Sequence, residues 1–275
     1  MARAATQVAL VIWSLIFWTL AFSQMMVGAV LTVLLLVMGF HYRRVHMWVT
    51  APVFKRVVQL SLTKMRLHYH PDFDPEERSV FAQNHINLLD GHIASWAIPH
   101  AFSGLMNAWQ FKIPIYGWLM TMSKGIRVQR GRRDKVLEDI SNAAKERKAM
   151  GMSVLTFPEA HRTRDGKLQK YRRGVFIMAV NAGMSMVPIA VRGFYDVNRK
   201  GSWIFHPFKT VDVFVGPQFA TTNVDSSEVG DFADRMRKWT LHCIEHGAFP
   251  DAELSKGLLP TAKVANQAAA AEAAG

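Results

Sequence analysis

A long uncharged stretch opens the chain. No Lys, Arg, Asp or Glu occurs between Arg3 and Arg43. About 20 apolar residues span a bilayer, and this run is nearly twice that length. The favoured interpretation is a membrane-embedded helical hairpin over residues 1–42, with two helices of about 16 residues broken near Ser23-Gln24 and held largely in one leaflet. Two fully spanning arms, one long tilted helix and a cleaved signal peptide are the alternatives.

Downstream, short apolar runs alternate with helical patterns. Residues 80–82 and 153–157 have the character of buried strands, and residues 88–98, 134–151 and 174–182 that of helices. Strands alternating with helices predict an α/β domain over residues 78–250, with a central, mostly parallel or mixed sheet flanked by helices. Further expectations are a strand at 186–191 with Pro188 at an edge or bulge, strand content within 204–215 and a closing helix at 231–246.

The charge balance is strongly basic. The formal net charge is +12 and the isoelectric point is about 10.0. Basic residues flank the apolar segment on both sides, which places both of its ends in the cytoplasm by the positive-inside rule. Residues 43–77 form a basic connector, and residues 53–60 mix apolar and basic positions as an interfacial helix would. A partner surface of anionic membrane lipid explains this better than nucleic acid, for which the chain has no recognisable binding motif.

Other sequence features limit which kinds of site the chain could contain. The single cysteine, Cys243, excludes an intramolecular disulfide and falls at helical spacing typical of a core position. No Cys/His cluster has zinc spacing, so no metal site is predicted. Residues 251–275 are alanine-rich and are expected to be a low-complexity, disordered tail.

Candidate chemistry begins with a histidine and a carboxylate five residues apart, His85 and Asp90. On a continuous helix these side chains would point about 140° apart. They can meet if His85 lies in the loop before the helix and Asp90 lies in its first turns. A carboxylate that accepts the Nδ1 proton leaves Nε2 as a base, as in a catalytic triad without its serine.

Four short blocks follow one another between residues 78 and 192. They are Asn-His-Ile-Asn-Leu-Leu-Asp at 84–90, Ile-Arg-Val-Gln-Arg at 126–130, Phe-Pro-Glu-Ala-His-Arg at 157–162 and Val-Pro-Ile-Ala at 187–190. This order resembles that of the glycerolipid acyltransferases, the group that includes lysophosphatidic acid acyltransferase. In that family Asn-His-x-x-x-x-Asp precedes an Ile-Phe-Ile-Asp-Arg-like block, then Phe-Pro-Glu-Gly-Thr-Arg, then Val-Pro-Ile.

The resemblance implies phospholipid biosynthesis. A fatty acyl group would move from acyl-CoA or acyl-carrier protein to the free hydroxyl of a lysophospholipid, with 1-acylglycerol 3-phosphate as the expected acceptor. No metal or redox cofactor is implied. In this interpretation His85 is the general base and Asp90 orients it. The predicted substrate-binding residues are Arg130, Glu159, His161 and Arg162, of which His161 has no counterpart in the family pattern.

The chain departs from the pattern at Arg127, Gln129 and Ala160-His161. Because of these departures, a different acceptor is an alternative, such as a lyso-aminolipid or another lysophospholipid. A lipid hydrolase is a rival, but no Gly-x-Ser-x-Gly elbow supports a serine lipase. A non-catalytic basic membrane adaptor gives no reason for four ordered blocks. The expected location is a membrane, with the site on its cytoplasmic face, as at a bacterial inner membrane.

Overall fold

A computed structural model describes residues 2–113, 116–222, 224–225 and 227–251. The predicted tail lies outside these residues beyond Asp251. The helices are α1 (Ala2–Val37), α2 (Tyr42–Val45), α3 (Ala51–Leu60), α4 (Asp90–Ala97), α5 (Tyr116–Met122), α6 (Arg133–Ala149), α7 (Gly174–Ala182) and α8 (Val229–His246). A π-helical turn at His46–Thr50 joins α2 to α3, and 3₁₀ turns occupy Ala108–Lys112 and Phe194–Asp196.

Within the described residues, seven strands form one mixed sheet. They are β1 (Lys64–Tyr69), β2 (Val80–Gln83), β3 (Phe102–Asn107), β4 (Ile126–Val128), β5 (Ser153–Thr156), β6 (Met186–Arg192) and β7 (Thr210–Val215). Their order is β1-β7-β6-β2-β5-β3-β4, and only the β6–β7 pair is antiparallel. The α/β class and the mixed sheet flanked by helices are confirmed. Since β1 belongs to this sheet, the sheet includes residues that the sequence analysis assigned to the connector 43–77.

The sheet separates two apolar cores. Because side chains alternate between the two faces of a strand, Val80 and Ala82 of β2 face one core while Phe81 faces the other. The first core lies under α6, α7 and α8 and includes the fully buried Trp239 and Cys243. The second lies under α3 and α4 and also takes in part of α1. Cys243 is thus a core residue, as predicted.

Pro188 sits inside the sheet, so its predicted edge position is wrong. β6 has β2 on one side and β7 on the other. The β6–β7 ladder covers only the residues from Ile189 onward, and the missing N–H of Pro188 falls where that ladder has opened. Its carbonyl still accepts the N–H of Gly216 at 2.9 Å, and a side chain at Gly216 would collide with the proline ring.

The predicted hairpin of two helices within residues 1–42 is wrong, because that segment forms one long helix, and the chain turns back only after it, in a hairpin of α1 with the α2–α3 segment. No break occurs near Ser23-Gln24, because neither residue prevents helix formation and α1 is continuous over 36 residues. The turn comes after α1, at Gly39 with φ +86°. The second arm is the α2–α3 segment, and Gly28 of α1 lies directly against Val53 of α3. The α1 segment Ala5–Val37 is long and apolar enough to cross a membrane, by length and composition alone.

One stripe of α1 is covered by protein and the opposite one is not. Ser14, Phe17, Ala21, Gly28 and Thr32 recur at helical spacing and are buried. The Ser14 hydroxyl accepts the N–H of Phe205, and the Trp18 indole donates to the carbonyl of Trp203. The exposed apolar residues of α1 are Val8, Val11, Ile12, Leu15, Ile16, Leu20, Phe22, Met26, Val27, Val30, Leu31, Val33, Leu34 and Val37. Thus α1 lies along the domain and presents an apolar outer face.

Candidate active site

The loops that carry the sequence blocks meet at one edge of the sheet. Parallel strands β2 and β5 are neighbours and end at Gln83 and Thr156. The residues that follow them, His85 and Glu159, therefore leave the sheet side by side. The structure joins them directly, because the backbone N–H of His85 donates to Glu159 Oε1 at 2.6 Å.

His85 and Asp90 form a close pair. His85 lies in the loop before α4, and Asp90 is the first residue of that helix, as predicted. His85 Nδ1 lies 2.6 Å from Asp90 Oδ2, with the histidine side chain 21% exposed and the carboxylate 1% exposed. An ionised carboxylate only accepts, so it holds the proton on Nδ1 and leaves Nε2 as the basic nitrogen.

Asp90 is fixed by further donors. Its Oδ2 accepts the backbone N–H of Ile86 at 2.6 Å, and both oxygens accept that of Asn87 at 3.1–3.2 Å. The buried carboxylate is therefore surrounded by N–H groups that stabilise its charge without solvent. Its orientation toward the imidazole is set by the loop backbone.

Two further contacts position His85 itself. Phe157 stacks on the imidazole with 4.1 Å between ring centroids and 18° between planes. The His85 carbonyl accepts the N–H of Thr163 at 2.8 Å. Together with Glu159 and Asp90, these contacts fix the ring plane, the backbone and one ring nitrogen. Neither the Phe157 stack nor the Thr163 bond is evident from spacing, since both depend on how the 157–163 loop folds back.

Glu159 is buried and bonds to backbone. Its Oε1 accepts from His85 and its Oε2 accepts the N–H of Gln169 at 2.7 Å. Burial raises the pKa of its carboxyl group, while the N–H groups of His85 and Gln169 oppose that rise. Among the described residues, no arginine forms a salt bridge with Glu159. The geometry makes Glu159 a link between two loops at the site.

Two polar side chains just before His85 bond to β6 and to the start of α4. The Asn84 amide donates to the Val191 carbonyl at 3.0 Å and accepts the Val191 N–H at 2.7 Å. Gln83 donates to the backbone carbonyl of Asp90 at 3.1 Å. These hydrogen bonds hold in place the backbone that leads into His85. The paired contacts of the Asn84 amide with Val191 of β6 were not predicted from the sequence, because β6 lies over a hundred residues away along the chain.

The predicted acceptor residues lie around this edge with different exposure. His161 is exposed and Arg162 is half-buried, and the Arg162 carbonyl accepts from Lys200 Nζ at 3.1 Å. Arg130 is exposed and follows β4, three strands from β2. At about 4.8 Å per strand, that separation is roughly 14 Å. The structure thus brings His85, Asp90 and Glu159 into contact, with His161 and Arg162 in the adjoining loop and Arg130 at the periphery.

Ala160 has a left-handed backbone conformation, with φ +65°. It closes a turn in which its N–H donates to the Phe157 carbonyl at 2.9 Å. A Cβ at such a φ is strained, and glycine avoids that strain. The glycine of the family block at this position therefore has a conformational reason, and this chain carries alanine in its place.

Fold and site together define an α/β domain with a carboxylate-oriented histidine at the carboxyl ends of its strands. Residues 64–192 match the family model named Acyltransferase. The similarity to that family covers these 129 residues, a little under half of the 275-residue chain.

Several proteins with a similar sequence or fold are named as acyltransferases. A 1-acyl-sn-glycerol-3-phosphate acyltransferase of Limnanthes douglasii is 24% identical over 142 residues, covering 52% of this chain and 50% of that relative. One from Pseudomonas aeruginosa is 30% identical over 128 residues, covering 46% and 49%. A crystal structure of the 1-acyl-sn-glycerophosphate (LPA) acyltransferase PlsC from Thermotoga maritima superposes with a TM-score of 0.70 at 18% identity, covering 88% of this chain and 95% of that one. The chain thus spans about half the length of these curated relatives, and the structural match shows a shared fold.

Proposed function

We propose that this protein transfers a fatty acyl group from a thioester to the free hydroxyl of a lysophospholipid, with 1-acylglycerol 3-phosphate as acceptor and phosphatidic acid as product. The observation that carries the proposal is the 2.6 Å contact between His85 Nδ1 and the buried Asp90 carboxylate. The names of the similar proteins support the choice of acceptor.

The reaction needs a base, two aligned substrates and a leaving thiol. His85 Nε2 takes the hydroxyl proton as the acceptor oxygen attacks the thioester carbonyl carbon. When the tetrahedral intermediate collapses, the C–S bond breaks and the imidazolium returns its proton to the sulfur. The ester forms without an acyl-enzyme. A thioester is already activated, so base catalysis and placement supply the rate.

In this proposal, one set of residues positions the base, His85, and another set binds the acceptor. Asp90 keeps the tautomer of His85, and Glu159 and Phe157 position the imidazole. Arg130, Arg162 and His161 recognise the phosphate, for which a guanidinium fork is well suited. Glu159 thus moves from the acceptor contact expected from the sequence to a positioning role, because both of its oxygens already accept backbone N–H groups.

Membrane attachment belongs to the same proposal. The outer face of α1 would lie in one leaflet while its inner stripe stays on the domain, with the site on the cytoplasmic side. The long acyl substrates then remain in lipid next to the sheet edge that holds His85. The donor is either acyl-CoA or the acidic acyl-carrier protein, since each brings negative charge toward a protein of formal charge +12.

The test offers the purified full chain a panel of lysolipids with acyl-CoA and with acyl-carrier protein, and identifies products by mass spectrometry. We expect phosphatidic acid from 1-acylglycerol 3-phosphate. His85→Ala should lower its formation by at least about 100-fold, the scale of general-base catalysis. His242→Ala, on α8 across the sheet, serves as control.

Other products contradict the proposal in distinct ways. Free fatty acid without an acylated lipid would indicate the hydrolase, and membrane binding without turnover would indicate the adaptor. Efficient acylation of a lyso-aminolipid alone would remove the phosphate role of Arg130 and Arg162 but leave the base in place. An H85A variant that keeps more than about a hundredth of the activity would refute general-base catalysis by His85.

A further inference from the structure

A second site candidate lies at the hairpin turn. A cavity of about 470 Å³ is lined there by His41, Arg43 and Arg44, and by Ala149 and Met150 at the end of α6. α6 ends just before β5 begins, so the cavity lies at the amino end of that strand. His85 follows the carboxyl end of the neighbouring parallel strand, β2. The cavity and the candidate active site are therefore at opposite edges of the sheet.

The position of Arg43 depends on a glycine. Gly151 has φ +69°, and a Cβ there would lie 2.4 Å from the Arg43 Nη1 atom. The bare backbone after α6 leaves the space that the guanidinium occupies. Any side chain at residue 151 would push Arg43 out of this position.

The described residues give the arginines of the cavity no carboxylate partner. In the described part of the chain no carboxylate lies within 4.0 Å of Arg43 or Arg44. The acid near the end of α6, Glu146, already pairs with Arg147 at 3.0 Å. Two exposed guanidinium groups beside a histidine thus face a cavity with uncompensated positive charge. Guanidinium forks of this kind match the oxygens of a phosphate.

The surroundings of the turn are apolar and exposed. Val37 and Met38, the last residues before the turn, are 81% and 70% exposed. Trp48 is exposed as well and meets the ring of Phe40 with 5.7 Å between centroids. Exposed aliphatic residues beside tryptophan and arginine are typical of the boundary between acyl chains and head groups. A soluble anion would make no use of these apolar neighbours.

We propose that this cavity binds the phosphate of an anionic glycerophospholipid whose acyl chains lie along Val37 and Met38. Arg43 and Arg44 contact the phosphate oxygens, and Ala149 and Met150 form the wall behind them. The bound lipid is not a substrate, because it stands at the sheet edge opposite His85. The proposal is independent of acyl transfer and would survive its failure.

The experiment counts lipids bound to the full-length protein in neutral detergent by native mass spectrometry, with phosphatidylglycerol or phosphatidylcholine added. We expect one phosphatidylglycerol to bind about tenfold more tightly than phosphatidylcholine. The double variant R43A/R44A should lose this preference. The matched control R132A/R133A removes the same charge from the other end of α6 and should keep it.

Ala149→Phe separates a discrete site from general attraction. It fills the cavity, changes no charge and lies at an exposed position, so folding is preserved even if the arginine variant fails to fold. Loss of the preference in A149F supports the site. Equal preference in A149F and wild type, or equal loss in R132A/R133A, would overturn it. A different result would show that the ligand is a soluble anion and overturn the lipid proposal. In that case inorganic phosphate would bind at the site, and phosphatidylglycerol would bind no more tightly than phosphatidylcholine.

Discussion

At the scale of single residues, the candidate site depends on how completely its contacts fix the position of His85. Its ring nitrogen, ring face, backbone N–H and backbone carbonyl each have a defined partner. Such over-determination is what holds a base within the narrow geometry that proton transfer requires. Changes in the partners should therefore appear in turnover before they appear in binding.

Glu159→Gln tests this directly. A glutamine can offer one acceptor oxygen but must turn an NH₂ group toward the other backbone N–H, so the loop has to move. We expect kcat to fall about 10- to 100-fold, with the KM for the lysolipid little changed. Glu146→Gln, at an exposed acid on α6, is the control. A selective rise in the lysolipid KM would instead assign Glu159 to the acceptor.

Ala160→Gly should stabilise the protein. Removing a Cβ at φ +65° relieves about 1 kcal/mol of strain, less the entropy that glycine adds to the unfolded chain. Chemical denaturation in detergent measures the change. Ala143→Gly inside α6 should destabilise by a similar amount. If both variants lose stability equally, the turn at Ala160 is not strained.

At the scale of elements, the hairpin shows how closely α1 and α3 approach. A Cβ on Gly28 would lie 2.8 Å from Val53 Cγ2. Gly28→Leu should therefore push the two helices apart and cost about 1–3 kcal/mol, the usual penalty of overpacking. Thermal unfolding and limited proteolysis of the 38–50 region report the change. Val27→Leu, one position away on the exposed face, should behave as wild type, and equal behaviour of the two variants would contradict the contact.

Most elements could be predicted from the sequence, because local patterning determines them. The strands β2 and β5, the helix α6 and the αL cap at Gly183 follow from apolar runs, caps and glycine. The place of Pro188 could not be predicted, because it depends on β7 as a distant partner of β6. The hairpin turn had a local signal, Gly39 with φ +86°, which the predicted break near Ser23-Gln24 overlooked. In the site, the His85–Asp90 pair follows from spacing, whereas the backbone bonds of Glu159 depend on a loop ten residues farther on.

At the scale of the whole molecule, buried histidines make stability depend on pH. Burial lowers the pKa of His46 and of His100 to about 4. In the unfolded chain histidine titrates near its ordinary value, about 6.5. The unfolded state therefore binds more protons between these values, and folding stability falls as the pH drops from about 6.5 toward 4.

We expect each of the two histidines to contribute about 1–2 kcal/mol of this loss between roughly pH 7 and pH 5. Denaturation curves across this range measure it. His46→Asn should remove the share of His46 from the pH slope. A slope that is the same in H46N and wild type would show that His46 is already charged or exposed in the folded protein.

The pairing of β1 has a consequence for biogenesis. β1 ends the strand order, and its partner is β7, so Lys64 pairs with Thr210. During translation β1, which follows the apolar N-terminal helices, must wait as an unpaired edge until almost the entire α/β domain has left the ribosome. Such distant pairings are slow to form, and a nascent chain stopped before Thr210 would expose β1 close to the apolar outer face of α1. The N-terminal part of an unfinished chain is thus the place most open to aggregation or to capture by a chaperone.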